Sequence, residues 1–129
     1  MALIQYFLIF VLGGIGYGLL EIIWRGHTHW TMLICGGICF MLMYLISASG
    51  MSFLRKCILS AAAITAVEFF TGCLVNLRMH WHVWDYSAVR FNVLGQICPL
   101  FSLYWLALSV FGIALCSFLR PLLQRLLRA

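Results

Sequence analysis

Residues 2–24 read ALIQYFLIFVLGGIGYGLLEIIW, a run that is apolar, aromatic or glycine except for Gln5 and Glu21, with no basic residue before Arg25. A bilayer core takes about 20 such residues as a helix. The run also exceeds the roughly 7–15 apolar residues of a secretory signal, so it is expected to be a retained spanning helix and not a cleaved leader. Three further runs have the same character: Trp30 to Ala48, Cys57 to Leu77 and Ile97 to Leu119. They predict an all-α, polytopic transmembrane bundle of four helices at about 2–24, 30–48, 57–77 and 97–119. A basic C-terminal tail, 120–129, completes a single transmembrane domain.

Composition agrees with that reading. The 129 residues are 65% hydrophobic and 9% charged, with a mean hydropathy of +1.08, where a globular chain is about 25% charged. A water-soluble enzyme, a nucleic-acid module and a disordered regulator are excluded; the partner implied is the lipid bilayer, with no nucleic acid. The net charge of +5 follows the expected topology. Arg55, Lys56, Arg120, Arg125 and Arg128 fall on the side that holds both termini, whereas Arg25, Arg78 and Arg90 share the opposite side with Glu21, Glu68 and Asp85. The positive-inside rule places both termini in the cytoplasm of a multi-pass cell-membrane protein. The tail, with arginines between apolar pairs, suits an interfacial helix or a plain stop-transfer anchor, the latter favoured.

At helical spacing each span carries one small or polar stripe: Gly14, Gly18, Glu21 and Arg25 in the first; Gly36, Phe40, Met43 and Ser47 in the second; Ala61, Thr65, Glu68, Gly72 and Asn76 in the third; Cys98, Ser102, Trp105, Ser109, Gly112 and Cys116 in the fourth. Such stripes are packing seams between membrane helices. Glu68 is the exception, because an ionised carboxylate near mid-bilayer costs about 3 kcal/mol on insertion scales and must be protonated, paired or hydrated. Arg25, Arg78 and Arg90, or the hydroxyls of Thr65, Thr71 and Ser102, are candidate partners. Glu21 stands four residues before Arg25, the spacing of a local ion pair.

His27, His29, His80 and His82 form two His-x-His pairs on one side. They are weak metal candidates, and interface histidines explain them as well; no carboxylate or cysteine spacing completes a recognised metal site. Cys35, Cys39, Cys57, Cys73, Cys98 and Cys116 lie in or at the edge of apolar spans, where cysteine behaves as a small hydrophobe, so no structural disulfide is expected. Phosphate-loop, nucleophile-elbow and zinc-protease motifs are missing from the sequence. No cofactor is therefore expected, enzymatic activity is not favoured, and any nucleotide hydrolysis would fall to a partner chain.

The second half carries Glu68-Phe69-Phe70-Thr71-Gly72, Trp84-Asp85-Tyr86-Ser87, Phe91-Asn92, Gly95-Gln96-Ile97-Cys98 and Phe101-Ser102-Leu103-Tyr104-Trp105. In order and spacing these resemble the signature of a family of small bacterial membrane proteins, the CmpB-like ABC-transporter type IV family. Glu21 and Arg25-Gly26 are similar to that family's acid and Arg-Gly in the first half. The chain lacks the longer glycine- and proline-rich connection expected after Arg-Gly, and Pro99 stands where an aliphatic residue is usual. The resemblance implies a membrane location and a common site.

The residues assigned to a binding or coupling site are Glu21, Arg25, Glu68, Thr71, Asp85, Tyr86, Arg90, Asn92 and Ser102. The leading expectation is a transporter-like or permease-like protein in which Glu68 binds a cation or carries a proton, working as a homo-oligomer, with a membrane partner subunit, or beside a separate ATPase chain. The alternative is a non-transporting scaffold or accessory subunit. An intramembrane enzyme acting on a lipid comes third.

Overall fold

A computed structural model describes residues 2–128. Its four helices are α1 (Ala2–Arg25), α2 (Trp30–Ser47), α3 (Phe53–Gly72) and α4 (Pro99–Arg128), and a π-helical segment, Cys73–Arg78, extends α3. All four are long and apolar enough to cross a bilayer. The expected all-α transmembrane bundle is the architecture observed.

The boundaries have local causes. Gly26 adopts φ +80° and its N–H closes on the Ile22 carbonyl at 2.9 Å, a left-handed glycine that ends α1. The His29 side chain accepts from the Thr31 N–H at 3.3 Å and starts α2. Ser52 caps α3 by accepting from the Arg55 N–H at 3.4 Å, so α3 begins four residues before the expected Cys57.

The fourth helix differs more: it runs through Pro121 to Arg128, where a separate tail from residue 120 was expected. Proline removes one backbone hydrogen bond and crowds the preceding turn, yet two side chains hold the helix across it. Leu123 is buried in the core, and Arg120 donates to the Tyr44 carbonyl and, at 3.1 Å, to Ser47 Oγ. At about 1.5 Å per residue α4 is about 45 Å long, so its basic end projects beyond a hydrocarbon core of about 30 Å.

Helix α2 packs against each of the other three, whereas α1 packs closely against α2 alone. Glycines make the α1–α2 crossing tight. A Cβ on Gly14 would stand 2.8 Å from the Leu33 carbonyl oxygen, and one on Gly37 would stand 2.8 Å from that of Phe10. Between α1 and α4 the contact is through rings, Tyr17 to Trp105 at 6.1 Å and Trp24 to Tyr104 at 6.3 Å between centroids. The main core gathers Ile9, Tyr44, Cys57, Ile113 and Cys116 from all four helices toward the end that holds both termini.

Side chains that point away from the bundle are apolar and bare. Leu3, Ile23 and Phe111 are 85%, 82% and 74% exposed. Patches of that extent are a liability in water and the normal outer surface of a helix in lipid.

Candidate functional site

The site is assembled where the 79–98 connection folds back over the end of the bundle. Asn76, buried within the π-helical segment, donates to Gln96 Oε1 at 2.8 Å and accepts from the backbone N–H groups of Val83 at 2.7 Å and Trp84 at 3.4 Å. The Trp84 indole in turn donates to the Gln96 carbonyl at 3.0 Å. Gly72 leaves room for this docking, since a Cβ there would stand 2.5 Å from Gln96 Oε1 and 2.9 Å from Trp84 Cζ2. Extra-residue turns of this kind recur at functional sites; here the turn aims Asn76 at the returning chain.

Docking delivers Tyr86 to Glu68. The Tyr86 hydroxyl donates to Glu68 Oε2 at 3.0 Å, and the Trp105 indole N–H of α4 donates to Oε1 at 3.1 Å. The Tyr86 ring stacks on Phe101 with centroids 4.6 Å apart, which fixes its approach. Burial pushes the Tyr86 phenol above its usual range, the adjacent Glu68 carboxylate adds to the rise, and the Arg25 charge opposes it. Tyr86 therefore stays a donor at any physiological pH. Glu68 itself is 7% exposed, and its one charged group meets only neutral donors: among the described residues no cationic side chain lies within 4 Å of it.

The remaining expected site residues divide into three groups. Glu21 and Arg25 form a pair on α1, with Arg25 Nε 2.9 Å from Glu21 Oε2 but not directed along a hydrogen bond. Thr71 and Ser102 join helices: Thr71 accepts from the Cys35 thiol at 3.3 Å, and Ser102 meets Thr65 at 3.0 Å. Asp85 and Asn92 shape the connection and do not face Glu68. Asp85 accepts from the Ser87 N–H at 2.9 Å, and that bond holds its carboxyl below the usual carboxylate range. Asn92 donates to the Val89 carbonyl and accepts from the Gly95 N–H, both at 2.9 Å. Arg90 is exposed on the same connection. His29 packs at a tilt against Trp30 and Trp81, and among the described residues no three His, Cys, Asp or Glu side chains gather as metal ligands. All six cysteines are free.

Beside Glu68 lies a cavity of about 520 Å³ lined by residues of all four helices, with Trp84 of the connection at its edge. Its walls include Tyr17, Cys39, Phe40, Trp105, Leu108 and Leu115, and Glu68 is the acid among them. Trp105 and Tyr17 were not expected at the site. An aromatic at helical spacing reads as packing, although Tyr17 stands four residues before Glu21 and Trp105 closes the signature that begins at Glu68.

Four helices, each long and apolar enough to cross a bilayer, define the class: a multi-pass membrane protein. The chain belongs to the family described as Putative ABC-transporter type IV, whose model matches residues 7–129. No curated protein and no solved structure matches the chain.

Proposed function

We propose that the protein is a permease-like transporter whose substrate or coupling site is Glu68 with Tyr86 and Trp105. One observation carries this: a deeply buried carboxylate, held by two neutral donors and lacking a counter-charge, on the wall of a cavity large enough for a ligand. Intramembrane acids of this kind mark ion and proton paths, and two donors leave about two of the carboxylate's four acceptor positions free. A cation or a proton completes it. Glu21 and Arg25 neutralise one another one turn from the end of α1 and leave Glu68 as the variable charge.

Both termini are assigned to the cytoplasm on the excess of Lys and Arg at that end, with Trp84 on the outer side of the cell membrane. Family membership favours a separate ATPase chain as partner, for which the projecting basic end of α4 is the available cytoplasmic feature. Purification after gentle crosslinking is expected to recover that chain. A protein that emerges alone or as a homo-oligomer removes the ATP-coupled form of the reading.

The decisive test is flux. Reconstituted in vesicles that enclose a pH-sensitive dye, the protein is expected to carry protons down an imposed gradient. Glu68→Gln is expected to abolish this while insertion and melting are retained. Proton flux that survives Glu68→Gln would remove the role assigned to Glu68 and leave an accessory subunit as the better account.

A further inference from the structure

Three features of the cavity go beyond the presence of a carboxylate. First, it faces the lipid: α1 and α4, which flank it, meet through aromatic rings, and its walls include Leu12 and Phe111, both exposed on the outside of the bundle. Second, it is long. From Trp105 to Leu119, both in its wall, α4 rises about 21 Å at 1.5 Å per residue. Third, its polarity is confined to one end. Glu68, Tyr17 and Trp105 line it near Trp84, and the rest of the wall, by way of Phe40, Ile64 and Leu115, is apolar, with the sulfurs of Cys35, Cys39 and Met43 among its most polarisable atoms.

A small hydrated ion fits the first end and wastes the remainder, since a dry apolar channel offers it no ligands. A neutral lipid fits the remainder and leaves Glu68 without a counter-charge. We infer that the cavity binds a single long-chain amphiphile bearing a primary ammonium head, which enters sideways from the bilayer between α1 and α4. The head donates to the free oxygen positions of Glu68, and the chain lies along α4 toward Leu119. The volume, about 520 Å³, is within the range of pockets that enclose one such ligand. This deepens the permease reading by naming the substrate class of its site, and it rests on that reading only for what happens after binding.

Gly16 supplies a clean test. It lines the cavity, and a Cβ added there would meet nothing within 4 Å. Gly16→Leu therefore fills the space without forcing the helix, while Glu68→Gln removes the charge and leaves the space. The probe is hexadecylamine carrying a photoreactive diazirine on its chain, applied to the full-length protein in vesicles and followed by peptide mapping. Labelling is expected on α1 and α4 on both sides of the gap, competed by unlabelled hexadecylamine and not by hexadecanol or palmitate. Both variants are expected to reduce it about tenfold or more, which corresponds to about 1.4 kcal/mol of binding, with melting not lowered in Gly16→Leu. Competition by hexadecanol as effective as that by the amine would overturn the ammonium assignment, and undiminished labelling of Gly16→Leu would overturn the cavity. The two proposals separate in the same vesicles. Labelling without Glu68-dependent proton flux retains this site and removes transport; flux without labelling does the reverse.

Discussion

Gly16 and Gly37 are both helical glycines in the same pair of crossing helices, and their surroundings predict opposite outcomes for one methyl group. At Gly16 the added carbon enters open space; at Gly37 it meets the Phe10 carbonyl oxygen at 2.8 Å and the Phe10 ring at 2.7 Å. Alanine at position 16 is expected to stabilise the helix by about 0.5–1 kcal/mol, the ordinary gain over glycine. Alanine at position 37 is expected to cost about 1–3 kcal/mol of overpacking, because backbone cannot step aside as a side chain can. Melting in detergent distinguishes them. Asp85 gives a prediction of a different sort. Its carboxyl sits below the usual range because it accepts from Ser87, so its contribution to the connection is complete above an ordinary carboxylate pKa of about 3.9 and fades as the pH falls through the lower folded value. Hydrogen exchange at the Ser87 amide is expected to show protection that is constant from neutral pH down to about 5 once intrinsic rates are removed. It should weaken only below about 4. Loss of protection near pH 6 would assign the bond to another group.

Between elements, few polar side chains set the arrangement. Asn76 satisfies two backbone N–H groups and one amide oxygen at once, so Asn76→Ala strands three partners, two of them buried. At about 1 kcal/mol or more for each unsatisfied group it is expected to cost about 3 kcal/mol and to release the connection, which would be read as proteolysis between residues 79 and 98. Because Tyr86 arrives on that connection, the same change should mimic Tyr86→Phe in function. This explains what the sequence could and could not disclose. The spans were legible because lipid demands unbroken apolar runs, and Glu68 was legible because a carboxylate in such a run has no structural excuse. Its partners were legible only in part: Tyr86 was placed in the same site but not as a donor to Glu68, where arginines or the hydroxyls of Thr65, Thr71 and Ser102 were expected, and Trp105 read as packing. Tyr86 reaches it from 18 residues away and Trp105 from 37, and no periodicity encodes a returning loop. Asp85 and Asn92 carried the same polar signal as Glu68, yet they spend it on the turns of their own connection. The extension of α4 through Pro121 was hidden for a similar reason, since the bonds that hold it come from Tyr44 and Ser47 on another helix.

At the scale of the whole molecule, the basic residues at the end that holds both termini divide into those held in contacts and those that are exposed. Arg120 donates to the Tyr44 carbonyl and lies over the Tyr44 ring, 3.9 Å from its centroid, and Lys56 Nζ donates to the Ser47 carbonyl at 2.9 Å. Both therefore place positive charge on the carbonyl end of α2, where the helix dipole favours it. Arg125 is exposed on the last turns of α4, as is Arg128. Neutralising Arg125 and Arg128 together would leave three basic residues at the terminal side and three at the other, and so erase the charge bias without touching an observed contact. The expected result is a mixture of two insertions with unchanged melting of the folded fraction, read by reporter fusions at residue 129 and in the 79–98 connection. Arg120→Gln should behave the other way: orientation retained on four against three, and stability lowered by about 1 kcal/mol from the lost interaction at the helix end. If the double neutralisation left a single orientation, charge would not be what orients this bundle. The glycine-packed α1–α2 hairpin, closed by a connection of only four residues, would then be the element that decides it.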